Sequence, residues 1–139
     1  MVRWTETEVE LRNRRLNAPP PASVIEFTAN VRIVSEMNQR CHWSVRKRRF
    51  DAQRTAVWAA WPRKRGKAIT LPMPVTVTLT RIGPRKLDSD NLAGGAKACR
   101  DEIARILGVD DGSDAITFIY KQEKGSPKLY ALQIRIEAA

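Results

Sequence analysis

Two short acidic segments hold the residues best suited to chemistry, Asp88-Ser89-Asp90-Asn91-Leu92 and Asp110-Asp111-Gly112-Ser113-Asp114. They contain five of the 15 acidic residues of a chain that has 25 lysines and arginines. Residues two apart in an extended segment point to the same side, so Asp88 and Asp90 can offer both carboxylates to one ion. Oxygen ligands suit Mg²⁺ or Mn²⁺, which also accept phosphate oxygens. The pattern therefore predicts a Mg²⁺ site, with Mn²⁺ as the alternative ion, that acts on a phosphodiester.

A helix is predicted directly after Asp90, and Lys97 is the basic residue on it that is placed for chemistry. One apolar stripe predicts a helix from Asn91 to Leu107: Leu92, Ala96, Cys99, Ile103 and Leu107. A simpler role for Asp88 or Asp90 is to cap this helix. Lys97 lies about two helical turns after Asp90 and on the same face, where it can contact the scissile phosphate or remain a solvated lysine.

The second acidic segment lies at the far end of this predicted helix, about 25 Å from the first. Asp110 and Asp111 can join Asp88 and Asp90 in one metal site only if the chain bends, for which Gly94-Gly95 offers a place, or if a second copy supplies them. A two-fold dimer with antiparallel helices would bring the aspartates of one subunit to the other. We favour the homodimer.

The elements that position these segments are predicted in the order β-α-β-α-β-β. Alternating apolar residues predict one strand from Val24 through Ile33 and another from Val75. Residues 115–121 and 129–137 predict a closing hairpin. This order is typical of an α+β domain in which one mixed sheet is backed by two main helices.

A basic helix is predicted from Trp43 to Trp61, with Trp58 and Trp61 in the core and Pro62 as its stop. The loop that follows it is also basic, and the net charge of the chain is +10. Such an excess favours a nucleic acid as partner, because lysine and arginine release its condensed counterions. The predicted DNA contacts are Arg46, Lys47, Arg49, Arg63, Lys64, Arg65, Arg85 and Lys86.

Length and composition predict one folded domain over residues 22–139. Residues 1–21 are predicted to form a tail or short helix that leads into a proline-rich linker. Cys41 and Cys99 form no zinc pattern with the single histidine, His42, which is typical of reduced thiols. The sequence has neither an apolar run long enough for a bilayer nor a signal peptide, so we expect a soluble cytoplasmic protein without a membrane partner or a small-molecule cofactor.

The acidic segments together resemble the RusA-like Holliday junction resolvases of bacteria and their phages. The resemblance is carried by Asp88-Ser89-Asp90-Asn91-Leu92, by Lys97 with Arg100-Asp101 after it, and by Gly108-Val109-Asp110-Asp111-Gly112. Asn38 with His42-Trp43, followed by a basic helix, is also similar to the N-terminal half of that family. The similarity extends over residues 24–137 and is most specific in the acidic motif.

This resemblance implies a homodimeric, Mg²⁺-dependent endonuclease that nicks four-way DNA junctions symmetrically in recombination and repair. It implies that Asp88, Asp90 and Asp111 are the catalytic, metal-binding aspartates, with Asp110 beside them, and that Lys97 is the essential lysine. The chain departs from the family at one point, because the best-known members have their lysine soon after Asn-Leu, where this chain has Gly94.

Two alternatives remain open from the sequence. The chain can be a non-catalytic, basic nucleic-acid-binding protein whose aspartates only cap helices, or a relative of the resolvases that acts on flaps or replication forks.

Overall fold

The computed structural model describes residues 23–36, 41–110 and 112–139 and has an α+β fold with one mixed sheet and three helices. The predicted N-terminal segment 1–21, Asn38 and Asp111 lie outside the described residues. The elements are β1 (Val24–Ala29), α1 (Trp43–Ala60), β2 (Arg63–Lys64), β3 (Lys67–Ala68), β4 (Val75–Gly83), α2 (Ser89–Gly95), α3 (Lys97–Leu107), β5 (Ile116–Lys124) and β6 (Ala131–Ala138). Within the described part of the chain, none of the helices has the length and apolar character to cross a membrane.

The main sheet has the strand order β1-β6-β4-β5. β4 pairs with β5 in parallel, and β6 pairs with β4 and β1 in antiparallel fashion. The predicted closing hairpin is therefore wrong, because β4 lies between β5 and β6. The connection through α2 and α3 returns the chain parallel to β4, which leaves the other edge of β4 for β6. Alternation of apolar residues marks each strand but cannot indicate which strands are neighbours.

The core lies between one face of the sheet and the helices α1 and α3. Every second residue of β4 is buried on this face, beginning with Val75, Val77 and Leu79. Their neighbours Ile134 and Ile136 on β6 are fully buried in the same cluster. The alternation in β4 continues to Arg81, so an arginine occupies the last core-facing position before the strand ends at Gly83.

β1 is shorter than its sequence pattern predicts. Strand pairing ends at Ala29, whereas the predicted strand continues through Ile33. The alternating burial nevertheless persists beyond the paired residues, because Val31, Ile33 and Ser35 are all buried. The segment after β1 therefore remains extended and continues the core-facing side without a neighbouring strand, and it ends in a buried serine.

The predicted helix from Asn91 to Leu107 is two helices, α2 and α3, which meet at Ala96. At Gly95, the last residue of α2, a Cβ atom would lie 2.2 Å from the carbonyl oxygen of Val34. Only a glycine allows α2 to approach the segment after β1 so closely. A shared helical face for Asp90 and Lys97 requires one continuous helix, which the chain does not have.

Of the two tryptophans predicted in the core at the end of α1, only one is buried. Trp61 is 2% exposed, as predicted, and its Nε1 donates a hydrogen bond to the carbonyl of Ile69 at 2.8 Å. Trp58 is 43% exposed, so its predicted core position is wrong. Trp61 is the C-cap residue and has extended backbone angles, so its side chain does not follow the helical face of Trp58. Trp58 instead lies beneath the guanidinium of Arg63, whose Cζ is 4.3 Å from its ring centroid.

The basic loop after α1 forms a small hairpin of β2 and β3. Its turn is made by Arg65 and Gly66, which both have positive φ angles. Both described cysteines are free, and burial raises the pKa of the Cys99 thiol to about 12. Cys99 is therefore a packed, protonated thiol, in agreement with the expectation of reduced cysteines.

Substitution of the two adjacent glycines by alanine should have opposite effects. Gly95→Ala must displace the Val34 carbonyl, so we expect a loss of about 1–3 kcal/mol in the free energy of unfolding. Gly94→Ala is the matched control, because nothing lies within 4 Å of its Cβ position. It should stabilise α2 by up to about 1 kcal/mol. Urea denaturation of both variants measures the difference, and equal effects would contradict the close approach.

Candidate active site

Asp88 and Asp90 lie where the chain passes from the end of β4 into α2. Asp88 is the N-cap residue of α2, and its carbonyl oxygen accepts a hydrogen bond from the amide of Leu92 at 2.8 Å. Its side chain makes no capping hydrogen bond, although capping was the simpler role considered for it. Asp90 lies in the first turn of α2, and both aspartates are exposed. The backbone of Asp88 therefore begins the helix while its carboxylate remains available.

Neither carboxylate has a hydrogen bond or an ion pair with any described residue. The two carboxylates therefore lack a described cationic partner although the chain has a net charge of +10. Two exposed carboxylates fit the way Mg²⁺ binds, which takes one or two carboxylates and completes its shell with water and phosphate oxygens. The donor chemistry of Asp88 and Asp90 is thus compatible with the predicted ion.

Arg81 holds this loop from the core side. Its Nε donates to the carbonyl oxygen of Ile33 at 3.1 Å, and its Nη1 donates to the carbonyl oxygen of Arg85 at 2.6 Å. The guanidinium therefore ties the segment after β1 to the loop that precedes Asp88. Gly83 leaves room for it, because a Cβ atom there would lie 2.8 Å from Nη2 of Arg81.

Gln122 of β5 holds the same loop at the residue before Asp88. Its Oε1 accepts from the amide of Leu87 at 2.8 Å, and its Nε2 donates to the carbonyl of Leu87 at 2.7 Å. Gln122 is paired with Arg81 in the parallel register of β4 and β5. Both side chains thus reach the loop from neighbouring positions of the sheet.

Lys97 begins α3, where its side chain is 57% exposed. Its Nζ is 3.2 Å from Oδ2 of Asp101, one helical turn further on. The guanidinium of Arg54 on α1 is 3.9 Å from the same oxygen. Lys97 is therefore an exposed cation with an acidic partner on its own helix.

The described residues of the second acidic segment, Asp110 and residues 112–114, lie between α3 and β5. Oδ1 of Asp110 accepts a hydrogen bond from the amide of Gly112 at 3.2 Å, and Asp110 and Asp114 are exposed. The predicted ligand Asp111 lies outside the described residues. Across residues 23–36, 41–110 and 112–139, no three acidic, histidine or cysteine side chains come together as a metal-binding group.

Three predicted DNA contacts on α1 have acidic neighbours. Arg49 forms a bidentate ion pair with Glu36, with Nε 2.6 Å from Oε1, and Arg46 approaches the same carboxylate at 3.6 Å. Lys47 pairs with Asp51 at 3.2 Å. Hydrogen bonding to Glu36 is the main cause that raises the pKa of Arg49 above its ordinary value. These ion pairs fix α1 and the Glu36 region locally.

The remaining predicted contacts lie on the small hairpin and on the acidic loop. Arg63 donates to the carbonyl oxygen of Trp58 at 2.6 Å and stacks on its ring. Lys64 and Arg65 are exposed at the turn of the hairpin. Arg85 and Lys86 are exposed two to three residues before Asp88. The last two are thus the predicted cations that lie nearest in the chain to the carboxylates.

Arg81 and Gln122 were not identified as site residues from the sequence. A signal for Arg81 was present, since it continues the buried series of Val75, Val77 and Leu79. A charged residue at a core-facing position requires a partner, and here the partners are backbone carbonyls. Gln122 gave no comparable signal, because its contact with Leu87 depends on which strand pairs with β4.

Neither the comparison with protein-family models nor that with curated proteins finds a match for this chain.

Loss of the Gln122 amide should loosen the acidic loop. In Gln122→Ala both backbone groups of Leu87 lose their side-chain partner, so we expect the free energy of unfolding to fall by about 1–3 kcal/mol. The amide of Leu87 should also exchange with solvent faster, which hydrogen exchange followed by NMR measures. Gln133→Ala, at an exposed glutamine of β6, is the control and should change neither quantity. If the exchange rate of the Leu87 amide is the same in Gln122→Ala as in the wild type, Gln122 does not hold the loop at Leu87.

Proposed function

We propose that this chain is a cytoplasmic, Mg²⁺-dependent, structure-selective DNA endonuclease that acts as a homodimer. Its proposed substrate is the four-way junction, which it resolves by paired symmetric nicks in recombination and repair, as the resemblance to RusA-like resolvases implies. The observation that supports this most strongly is the pair of exposed carboxylates of Asp88 and Asp90, which have no partner among the described residues and lie on a loop held by Arg81 and Gln122.

In this proposal Asp88 and Asp90 hold the ion, with Asp111 and the adjacent Asp110 as further ligands. When held by these carboxylates, Mg²⁺ would supply Lewis-acid polarisation of the scissile phosphate and would offset charge on the leaving oxygen. Arg81 and Gln122 hold the loop through its backbone and form no hydrogen bond with the two carboxylates. The carboxylate oxygens therefore have no hydrogen bond to a described residue that must break when the ion binds. This is preorganisation of a site by its supporting residues.

Lys97 is the proposed cation that contacts the scissile phosphate or its developing charge. Its ion pair with Asp101 is exposed, and such pairs contribute little to stability. The lysine can therefore exchange its carboxylate for a phosphate at small cost. Gly94, at the position of the family lysine, has no side chain that could do this instead.

The DNA backbone is proposed to lie along the acidic loop, where Arg85 and Lys86 are the nearest contacts. Lys64 and Arg65 are proposed as a second set of phosphate contacts. Contacts of this kind position the substrate without reading its sequence. A non-catalytic nucleic-acid-binding protein is the second candidate function. The exposed basic hairpin favours it, because that hairpin needs no metal to bind DNA.

Replacement of Asp90 separates these two functions. Asp90→Asn removes a proposed metal ligand, so cleavage of a four-way junction in Mg²⁺ should fall by about 100-fold or more. Binding of the junction should persist or tighten, since one negative charge is lost beside a polyanion. The measurements are a nicking assay on a mobile junction, with linear duplex alongside, and a binding assay in EDTA.

Asp114→Asn is the matched control, because it removes an equal charge from an exposed position that is not a proposed ligand. It should cut like the unmodified protein. A wild-type protein that binds the junction but never cuts it in Mg²⁺ or Mn²⁺ would support the non-catalytic candidate.

Mixing two inactive variants tests whether the site is shared between subunits. If Asp111 of one copy completes the site of the other, a heterodimer of Asp90→Asn and Asp111→Asn has one site with both lesions and one intact site. The mixture should then regain single nicks, at up to about half of the wild-type rate per dimer formed. If each subunit completes its own site, every site carries one lesion and the mixture stays inactive, which would contradict the shared site.

A further inference from the structure

A cavity of about 490 Å³ opens beside the acidic loop, between the segment after β1 and the end of β4. The polar side chains that line it belong to Arg32, Ser35, Arg81, Arg85 and Tyr130. Leu87, the residue before Asp88, also lines it. The cavity therefore shares its wall with the loop that presents the two carboxylates, but it contains neither of them.

The charge of this cavity is positive, since three arginines and no carboxylate line it. Arg81 is only 5% exposed, and a buried guanidinium ordinarily has a carboxylate partner. Its described partners are two neutral carbonyl groups. Burial is the main cause that lowers the pKa of Arg81; Tyr130 opposes this shift, and the positive charge of Arg32 adds to it. An anion in the cavity would relieve both effects.

The hydroxyl of Ser35 is a second and independent observation. Ser35 is 9% exposed, and its Oγ is buried without a hydrogen-bond partner among the described residues. A buried hydroxyl without a partner is unfavourable, because water solvates it in the unfolded chain. Ser35 lines the cavity, so rotation of its side chain toward a bound ligand oxygen would supply the missing acceptor.

Arg32 is held over the cavity by an aromatic ring. Its Cζ lies 4.3 Å from the ring centroid of Tyr130, in the geometry of a cation–π contact. Stacking orients the plane of the guanidinium and leaves its N–H groups directed outward at the edges. Planar guanidinium groups donate paired hydrogen bonds to phosphate oxygens.

A purely structural role accounts for only part of this arrangement. The two carbonyls of Ile33 and Arg85 explain why Nε and Nη1 of Arg81 are buried. They do not explain why two more arginines line the same cavity, nor why a buried serine hydroxyl there has no described acceptor.

We propose that the cavity of Arg32, Ser35, Arg81 and Arg85 binds a phosphate group, and that this group is a DNA backbone phosphate next to the one held at Asp88 and Asp90. The first half stands by itself, and the second half rests on the proposed nuclease function. The cavity would fix the position of the strand on one side of the acidic loop, as a positioning site that takes no part in the chemistry.

Phosphate binding is tested in EDTA, so that neither metal nor cleavage enters. The full chain is titrated with inorganic phosphate at constant ionic strength, with chloride as the reference salt, and the affinity is read from NMR shifts and from the rise in Tm. Arg32→Gln should weaken phosphate binding by about tenfold or more, and Ser35→Ala by about threefold or more. Arg48→Gln, at an exposed arginine of α1 outside the cavity, is the charge-matched control and should bind phosphate like the wild type.

Ser35→Ala distinguishes a ligand contact from a structural one. Because the hydroxyl has no described partner, its removal should leave the Tm of the free protein unchanged or raise it, while phosphate affinity falls. A lower Tm with unchanged phosphate affinity would overturn the proposal. Equal responses of the wild type to phosphate and chloride would also overturn it.

A short single-stranded oligonucleotide, titrated in the same buffer, tests the source of the phosphate. Weaker oligonucleotide binding in Arg32→Gln and Ser35→Ala, with Arg48→Gln unaffected, would support a backbone phosphate. Unchanged oligonucleotide binding beside weakened phosphate binding would overturn the DNA half and leave a site for a free phosphate compound. If the nuclease proposal is wrong, the wild-type protein will not cut the four-way junction in Mg²⁺, although it still binds inorganic phosphate.

Discussion

The guanidinium of Arg81 joins the two parts of the chain on which the candidate site depends. Its hydrogen bonds to the carbonyls of Ile33 and Arg85 hold the extended segment after β1 against the loop that leads to Asp88. The arginine occupies the last core-facing position of β4, and Gly83 leaves the space that its guanidinium fills. Removal of this one side chain would therefore affect the loop, the extended segment and the cavity between them.

The parallel pairing of β4 with β5 adds the second support. This pairing places Gln122 beside Arg81. From there Gln122 forms hydrogen bonds with Leu87, which lies 35 positions earlier in the chain. The connection between the two strands is α2 and α3, and Gly95 lets α2 lie against the carbonyl of Val34. The helix that follows the acidic loop, the strand beside it and the segment after β1 thus constrain one short stretch of backbone. The exposed carboxylates lie on the part of the molecule that these contacts fix.

The net charge of +10 does not show which cations are free to bind a ligand, because some of them have partners within the fold. Arg46 and Arg49 share the carboxylate of Glu36, and Arg63 lies on the ring of Trp58. Many cations of α1 and its hairpin are therefore engaged within the fold. The cations that line the cavity or precede Asp88 have no acidic partner among the described residues, so no ion pair in the described part of the chain neutralises their charge. A polyanion that requires both a divalent ion and direct cationic contacts matches this arrangement.

The sequence by itself determined the elements of this fold and the exposed acids. Alternation in residues 25–33 and 75–79, and the apolar stripe that includes Cys99 and Ile103, predicted the buried faces because burial follows the period of strand and helix. Only the tertiary structure decided that β4 separates β5 from β6, that the second helix breaks at Ala96, and that Ser35, Arg81 and Gln122 meet around one loop. Strand neighbours and close backbone approaches arise from contacts between distant residues, and a local pattern carries no record of them. The same reason explains why Asp88 and Asp90 could be proposed as ligands from their spacing, whereas Arg81 and Gln122, which hold their loop, were not predicted.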